Sequence, residues 1–228
     1  MQNHLGQPIG EPLDWRGATP PPRTTLAGQY CSIVPLDESQ AEDLFTATQL
    51  DPDGRNWTYL FEAPFDRLAD FTDWLQVKSQ SKDPLFHAII SAETGKALGY
   101  ASLMRIDPAM GCIEIGNIHL SPGLQRSRAA TEAMYLLMKQ VFELGYRRYE
   151  WKCDSLNAAS RKAATRLGFT FEGIFRQAVV YKSRSRDTAW FSVLDSEWPA
   201  LRQGFETWLN PANFDHSGKQ LAKLHGAR

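Results

Sequence analysis

The sequence predicts an α/β domain on three observations: two successive strand-to-helix units, a long amphipathic helix between them, and turn chemistry that closes each unit. The apolar segment 112–120 ends at Ser121-Pro122-Gly123, and the loop 124–130 opens directly into a helix. A second strand, 149–153, leads through Asn157-Ala-Ala-Ser160 into a helix stopped at Leu167-Gly168-Phe169. Successive units of this kind build a sheet that binds ligands where strands and helices meet. The first amides of each helix have no partner within it, so the loop before the long helix suits an anion, above all a pyrophosphate.

The remaining elements follow from periodicity. Residues 6–22 are rich in proline and glycine and cannot form a useful helix. Residues 1–23 therefore read as an extended arm, anchored by Trp15, that lies on the domain or on a neighbouring subunit of a homodimer. The domain proper takes residues 24–209 and leaves 210–228 as a tail of low apolar content, loosely held. A first strand spans 26–35, and Asp37 caps a helix running to about Leu50, where Asp51-Pro-Asp-Gly54 ends it. After an aromatic loop at Trp57, Tyr59 and Phe61, a helix over 66–80 carries Leu68, Phe71, Trp74 and Leu75 along one side. Strands 85–91 and 97–106 form a hairpin about Glu93-Thr-Gly95. The long helix places Ala130, Ala133, Met134, Leu137, Met138 and Val141 three and four apart, a core stripe closed by Gly145. Strands 171–182 and 188–194 follow, joined by a loop at 183–187, and a last helix over 197–209 aligns Trp198, Leu201, Phe205 and Trp208.

At 228 residues the chain supports one core with some decoration. A net charge of −1 supplies no long-range attraction to nucleic acid or to an anionic membrane, so any anion site is local. No apolar run reaches the length of a bilayer span, and Met1-Gln-Asn-His-Leu-Gly6 lacks the pattern of a signal peptide, so a cytoplasmic protein is expected. Cys31, Cys112 and Cys153 show no metal spacing and read as reduced thiols. The histidines, His4, His87, His119, His216 and His225, form no pairing with them, and no metal is expected.

The order of strand, Gln125-Arg-Ser-Arg-Ala-Ala130, long helix, strand, then Asn157-x-x-Ser160 and Leu167-Gly168-Phe169 resembles the GNAT superfamily of N-acetyltransferases. Within it the pattern is most similar to the branch that acetylates ribosomal-protein N-termini. The resemblance runs from about Thr24 to Glu197. It implies an α+β fold with a central mixed, mostly antiparallel sheet flanked by helices. It also implies acetyl-CoA as cosubstrate, its pyrophosphate cradled by Gln125, Arg126, Ser127, Arg128, Ala129, Ala130 and Thr131. Arg128 stands where the family's loop carries its first glycine. Glycine permits positive φ and close approach, whereas arginine offers its own charge to a phosphate.

The chemistry implied is attack of a neutral amine on a thioester, which needs a base, an oxyanion donor and an acid for the departing thiolate. The resemblance assigns the oxyanion donor to the backbone of His119 or Leu120 and a cofactor contact to Asn157. Many members use a tyrosine as acid at the position of Ala164; the ribosomal-protein branch uses a serine, which is Ser160 here. That branch places a glutamate on the preceding strand, which makes Glu114 the candidate base. Each residue also has a plain structural reading: Glu114 as a solvated strand residue, Asn157 as a helix cap, Ser160 as a first-turn residue, Arg126 and Arg128 as surface charge. Trp57, Tyr59 and Phe61 are either core anchors or a wall of the acceptor site. The acceptor stays open among a protein N-terminus, an amino acid, a polyamine and an aminoglycoside, and the acyl group between acetyl and succinyl. A non-catalytic acyl-CoA-binding or protein-interaction module is the alternative function. No Gly-Lys-Ser/Thr loop supports a nucleotide site.

Overall fold

The structure is a computed structural model that describes residues 1–224; His225 and the rest of the tail, 226–228, lie outside the described residues. The strands are β1 (Leu26–Ala27), β2 (Cys31–Pro35), β3 (Leu85–Ser91), β4 (Ala97–Asp107), β5 (Cys112–Leu120), β6 (Arg148–Asp154), β7 (Thr170–Tyr181) and β8 (Arg184–Leu194). The helices are α1 (Ala41–Thr48), α2 (Leu68–Ser79), α3 (Arg128–Glu143), α4 (Ala158–Arg166) and α5 (Trp198–Leu209). All eight strands share one sheet in the order β1, β2, β3, β4, β5, β6, β8, β7. Neighbours are antiparallel throughout except β5 and β6, which run parallel because α3 carries the chain back between them.

Strand alternation sends successive side chains to opposite faces and separates two layers. The predicted stripe on α3 is buried along its length. It meets Ile113, Ile115, Tyr149, Ala189, Phe191 and Val193, together with Trp198, Leu201 and Phe205 of α5. On the other face α1 and α2 cover only the β2 to β4 half, packing Leu44, Phe71 and Leu75 on Phe86, Ala88 and Tyr100. The β5 to β8 half of that second face carries Glu114, Glu150, Lys152, Arg186 and Thr188 beside Trp190. Polar residues there leave a recess rather than a core.

Helix α3 brings one charge into the interior. Glu132 is 5% exposed, and its carboxylate accepts the amides of Gln29 (2.8 Å), Tyr30 (2.6 Å) and Cys31 (2.8 Å). Three donors replace the lost water and tie the turn between β1 and β2 to the helix. A Cβ on Gly28 would lie 2.5 Å from that carboxylate, so this turn needs glycine.

Several elements differ from the sequence expectation. The expected single strand 26–35 is a β1–β2 hairpin around Gly28. The loop expected at 183–187 is mostly strand, because the hairpin turns at Lys182 and Ser183, whose φ values are 47° and 56°. Two left-handed residues suit a tight hairpin, but Lys-Ser lacks the Asn-Gly signature that announces one. The tail from Asn210 is held: Phe214 packs edge-on against Trp208, and Asn213 donates to the carbonyl oxygens of Trp208 (2.9 Å) and Ala222 (3.3 Å). In the arm, the Trp15 indole donates to Ala109 O (2.6 Å) of this same domain.

Replacing Glu132 with Ala leaves three buried amides without an acceptor. Urea unfolding should show a loss of about 2–4 kcal/mol. Arg202→Ala, at an exposed ion pair, should lose under about 1 kcal/mol. Equal, small losses would contradict the role given to Glu132.

Candidate active site

Parallel pairing of β5 with β6 begins at Cys112↔Arg148 and ends at Ile115↔Trp151, although β5 runs on to Leu120 and β6 to Asp154. Beyond that point β5 changes register against β4 between Tyr100 and Ser102, and Asn117 is left-handed with φ 49°. The Asn117 amide donates to Ser102 Oγ (2.9 Å), which in turn donates to Gly116 O (3.2 Å) and fixes the irregularity. The strands part, and a cavity of about 480 Å³ opens along the seam, lined by residues that include Gly116, Ile118, Trp151, Cys153, Asn157 and Ser160.

Of the two backbone donors expected at the end of β5, only one is turned away from the β4 ladder, toward the side on which β6 departs. Ser121 N donates to Leu98 O (3.1 Å), so alternation of antiparallel bonds gives His119 N–H to β4 and turns Leu120 N–H away from it. Gln125 holds Leu120 in place, its amide donating to Leu120 O (2.9 Å) and to Asn56 Oδ1 (2.8 Å).

The loop after β5 resolves the missing glycine. Its left-handed residue is Arg126, exposed at φ 58°, while Arg128 is the first residue of α3 and needs no positive φ. Ser127 is the N-cap: its hydroxyl accepts Ala130 N (3.0 Å) and donates to Leu124 O (2.6 Å). Thr131 N turns back to Ser127 O (3.4 Å), and its hydroxyl accepts from Arg166 (3.1 Å). Ala130 and Thr131 thus spend their amides inside the cap and are buried, so the outward amides of the expected cradle are those of Arg128 and Ala129. The Arg128 guanidinium does not lead into the loop. It lies between the rings of Tyr30 (4.7 Å) and Phe214 (4.9 Å), because the tail places an aromatic ring beside it.

Glu114 is not a solvated strand residue. It is 3% exposed, and its Oε2 accepts from Arg105 Nε (2.7 Å) and Lys152 Nζ (2.9 Å). Arg105 is aimed by a β4 irregularity in which Asp83 accepts the amides of Arg105 (2.8 Å) and Ile106 (3.0 Å). Lys152 also pairs with Glu150 (2.7 Å), which pairs with Arg148 (2.7 Å). Burial raises the Glu150 carboxyl, and bonds from Lys152 and Arg148 outweigh it and hold the group below the usual range. With Oε2 occupied by cations, Oε1 is the oxygen toward Gly116, and Glu114 lines the cavity.

Ser160 stands across the seam. Asn157 caps α4 by accepting Ser160 N (3.0 Å), and Ser160 Oγ accepts the Trp151 indole N–H (3.0 Å), which leaves its own O–H to donate elsewhere. Asn157 is therefore both a helix cap and a lining residue. Burial pushes the neighbouring Cys153 thiol up, against the Ser160 hydroxyl, so it stays protonated. Ala164 is fully buried in the core.

The three loop aromatics separate. Tyr59 and Phe61 line the cavity, Tyr59 donating to Leu156 O (3.3 Å) and Phe61 meeting the Tyr181 ring at 5.8 Å. Trp57 turns inward, 2% exposed, against Phe65 (5.7 Å) and His119 (4.7 Å), because the short 3-10 turn at Arg55–Trp57 rotates it toward the sheet. The expected aromatic wall is thus Tyr59 and Phe61. Arg105, Lys152, Arg186, Thr188 and Trp190 also line the cavity. Sequence reasoning passed over them; the alternation of Lys152 with Trp151 and Cys153 was the available signal.

The acetyltransferase (GNAT) domain family matches residues 32–170. A search of curated proteins finds no match. Among solved structures, the chain is similar to a GCN5-related N-acetyltransferase from Brucella melitensis, with 50% identity and a TM-score of 0.91 over 92% of this chain and 96% of that one. A probable GNAT-family acetyltransferase from Chromobacterium violaceum shares 43% identity with a TM-score of 0.77, covering 84% of this chain and 98% of that one. An acetyl transferase from Salmonella typhimurium that modifies the N-terminal serine of a 50S ribosomal subunit protein shares the fold, at 20% identity and a TM-score of 0.63 over 73% of this chain and 96% of that one.

Two buried histidines set a pH dependence of stability. Burial lowers His119 to about 4, and burial with the Arg23 charge lowers His87 to about 4. Unfolded imidazole titrates near 6.5, so between these values the unfolded chain binds the extra protons. Stability is full above about 6.5 and falls as pH drops to about 4, by up to about 3 kcal/mol per histidine. Urea titrations across that window should show a shallower fall for His87→Leu than for the wild type. An unchanged slope would contradict a neutral buried His87.

Proposed function

The chain belongs to the GNAT acetyltransferase family, and from that premise we propose that it is an acetyl-CoA-dependent N-acetyltransferase that acetylates a primary amine by direct attack. The observation that carries this reading is the parted seam of β5 and β6, where Glu114 and Ser160 border one cavity and the Leu120 amide, two residues beyond the lining Ile118, is turned away from β4. The residues present fit acetyl-CoA. The outward amides of Arg128 and Ala129 at the start of α3, with the exposed Arg126 beside them, supply donors and positive charge for a pyrophosphate. Acetyl-CoA supplies the acyl group as an activated thioester. A protein N-terminus and a small-molecule amine both meet the needs of the site as acceptors.

Each residue then has a task that its surroundings permit. Leu120 N–H donates to the carbonyl oxygen as charge develops on it, held in place because Gln125 grips the adjoining carbonyl. Glu114 receives the amine's proton at Oε1, directly or through water, while Arg105 and Lys152 keep Oε2 fixed. The Ser160 O–H, oriented by the Trp151 indole, donates to the departing sulfur. Tyr59 and Phe61 form the apolar side of the acceptor site.

Release of CoA thiol from acetyl-CoA, tested against a panel of amines and short peptides, checks this directly. Ser160→Ala should slow turnover by about 10² to 10⁴ with CoA binding kept. Glu114→Gln should also slow turnover by about 10² to 10⁴ with CoA binding kept, because the amide cannot receive the amine's proton. At about one hundred times its dissociation constant, acetyl-CoA should stabilise the fold by roughly 2.7 kcal/mol. Wild-type rates in both variants would remove the two residues from the mechanism. Stabilisation without turnover on any amine would leave a non-catalytic CoA-binding module.

A further inference from the structure

Three hydrogen-bond donors stand in a row on β8, on the face that opens to the cavity: Arg186, Thr188 and Trp190. Alternation sends Ala189, between Thr188 and Trp190, and Phe191, just after them, into the opposite core. Arg186 Nε, Thr188 Oγ1 and Trp190 Nε1 are buried, and each is without a hydrogen-bond partner among the described residues. Arg186 is only 9% exposed and Thr188 only 4%.

The other cations of this wall are already neutralised. Arg105 pairs with Glu114, and Lys152 pairs with Glu114 and Glu150 while lying 3.8 Å from the centre of the Trp190 ring, which fixes the indole. Arg186 forms no ion pair among the described residues. Asp154, opposite Thr188 in the ladder, accepts instead from the Tyr181 hydroxyl (2.8 Å) and the Leu156 amide (2.9 Å). Arg186 lies over the Tyr181 ring (5.9 Å), and a guanidinium with a buried, unbonded Nε and no carboxylate, beside two unmade donors, is an unfavourable arrangement in a closed protein. It is favourable in one that receives an anion there.

We propose that this row is an oxyanion subsite, and that the amine acetylated in the adjoining seam carries a carboxylate or phosphate that docks on Arg186, Thr188 and Trp190. The proposal rests on the N-acetyltransferase reading of the cavity and adds the class of acceptor. The ladder sets Trp190 beside Lys152 and Thr188 beside Asp154 on β6, which itself neighbours β5. The row therefore lies two strands from β5, about 10 Å by strand spacing. An acceptor that reaches both ends holds its oxyanion several bonds from the reacting nitrogen, unlike the carboxylate of glycine.

The test uses matched amines that differ in charge: the ω-amino acids from glycine to 6-aminohexanoate with their amides, and O-phosphoethanolamine with ethanolamine. Binding to the CoA-saturated full chain is read by calorimetry, and turnover by thiol release. For the longer members, the anionic partner should bind at least about tenfold more tightly than its neutral match. Arg186→Gln and, to a smaller degree, Thr188→Val should erase that difference. The preferred pair, carboxylate or phosphate, identifies the oxyanion. Equal binding of charged and neutral partners in the wild type would overturn the proposal without recourse to any variant, as would an Arg186→Gln effect equal on both members. Turnover with no charge preference sinks the subsite and leaves the acetyltransferase. Charge-dependent binding that vanishes in Arg186→Gln, with no turnover on any amine, supports the subsite and sinks the catalytic reading.

Discussion

Parallel pairing between β5 and β6 lasts from Cys112↔Arg148 to Ile115↔Trp151, and the site follows from its ending there. Had the ladder continued, the backbone groups of β5 beyond Ile115 would bond to β6 and no substrate would meet them. The left-handed Asn117 and the register change against β4 bend β5 away instead. The Leu120 amide is left unpaired among the described residues on the side where β6 departs, and the chain passes from there into the Ser127 cap of α3. One divergence thus frees a donor, opens a cavity and presents a helix start beside it. The rigid β3–β4–β5 ladder and the α3 core hold these parts in place.

Buried charge is compensated in two places, at the β1–β2 turn and across β5, β6 and β7. Glu132 has three backbone amides, and Glu114, Lys152, Glu150, Arg148 and Glu172 alternate in sign across β5, β6 and β7. Removing one member of such a chain exposes the charge of the next, so its residues are coupled. Glu114 belongs to this chain and also to the cavity. Its orientation therefore depends on Arg105, and through the β4 irregularity on Asp83. Arg186 stands outside that compensation and forms no ion pair among the described residues, its Nε buried without a hydrogen-bond partner.

Much of this was legible in the sequence wherever one local rule decided the outcome. The α3 stripe, the Asn157 cap before Ser160, the Asp37 cap and the hairpin at 93–95 depend on neighbours within a few residues. The turn at Lys182-Ser183 was not legible, because neither residue type favours the left-handed region it occupies. The position of Arg128 was not either: its partners Tyr30 and Phe214 come from opposite ends of the chain. The surroundings of Glu114 required knowing which residues of β4 and β6 lie beside it, a matter of register. Trp57 shows the same limit, since spacing alone does not separate an inward ring from Tyr59 and Phe61 on the cavity wall.

Amide hydrogen exchange, resolved to single residues by NMR with and without saturating acetyl-CoA, tests the role of the parted seam most directly. Binding should slow exchange at Leu120, Arg128 and Ala129, with His119 little changed because its N–H already belongs to the β4 ladder. Exchange at those three amides that is indifferent to acetyl-CoA would contradict a cofactor site at the seam and the start of α3.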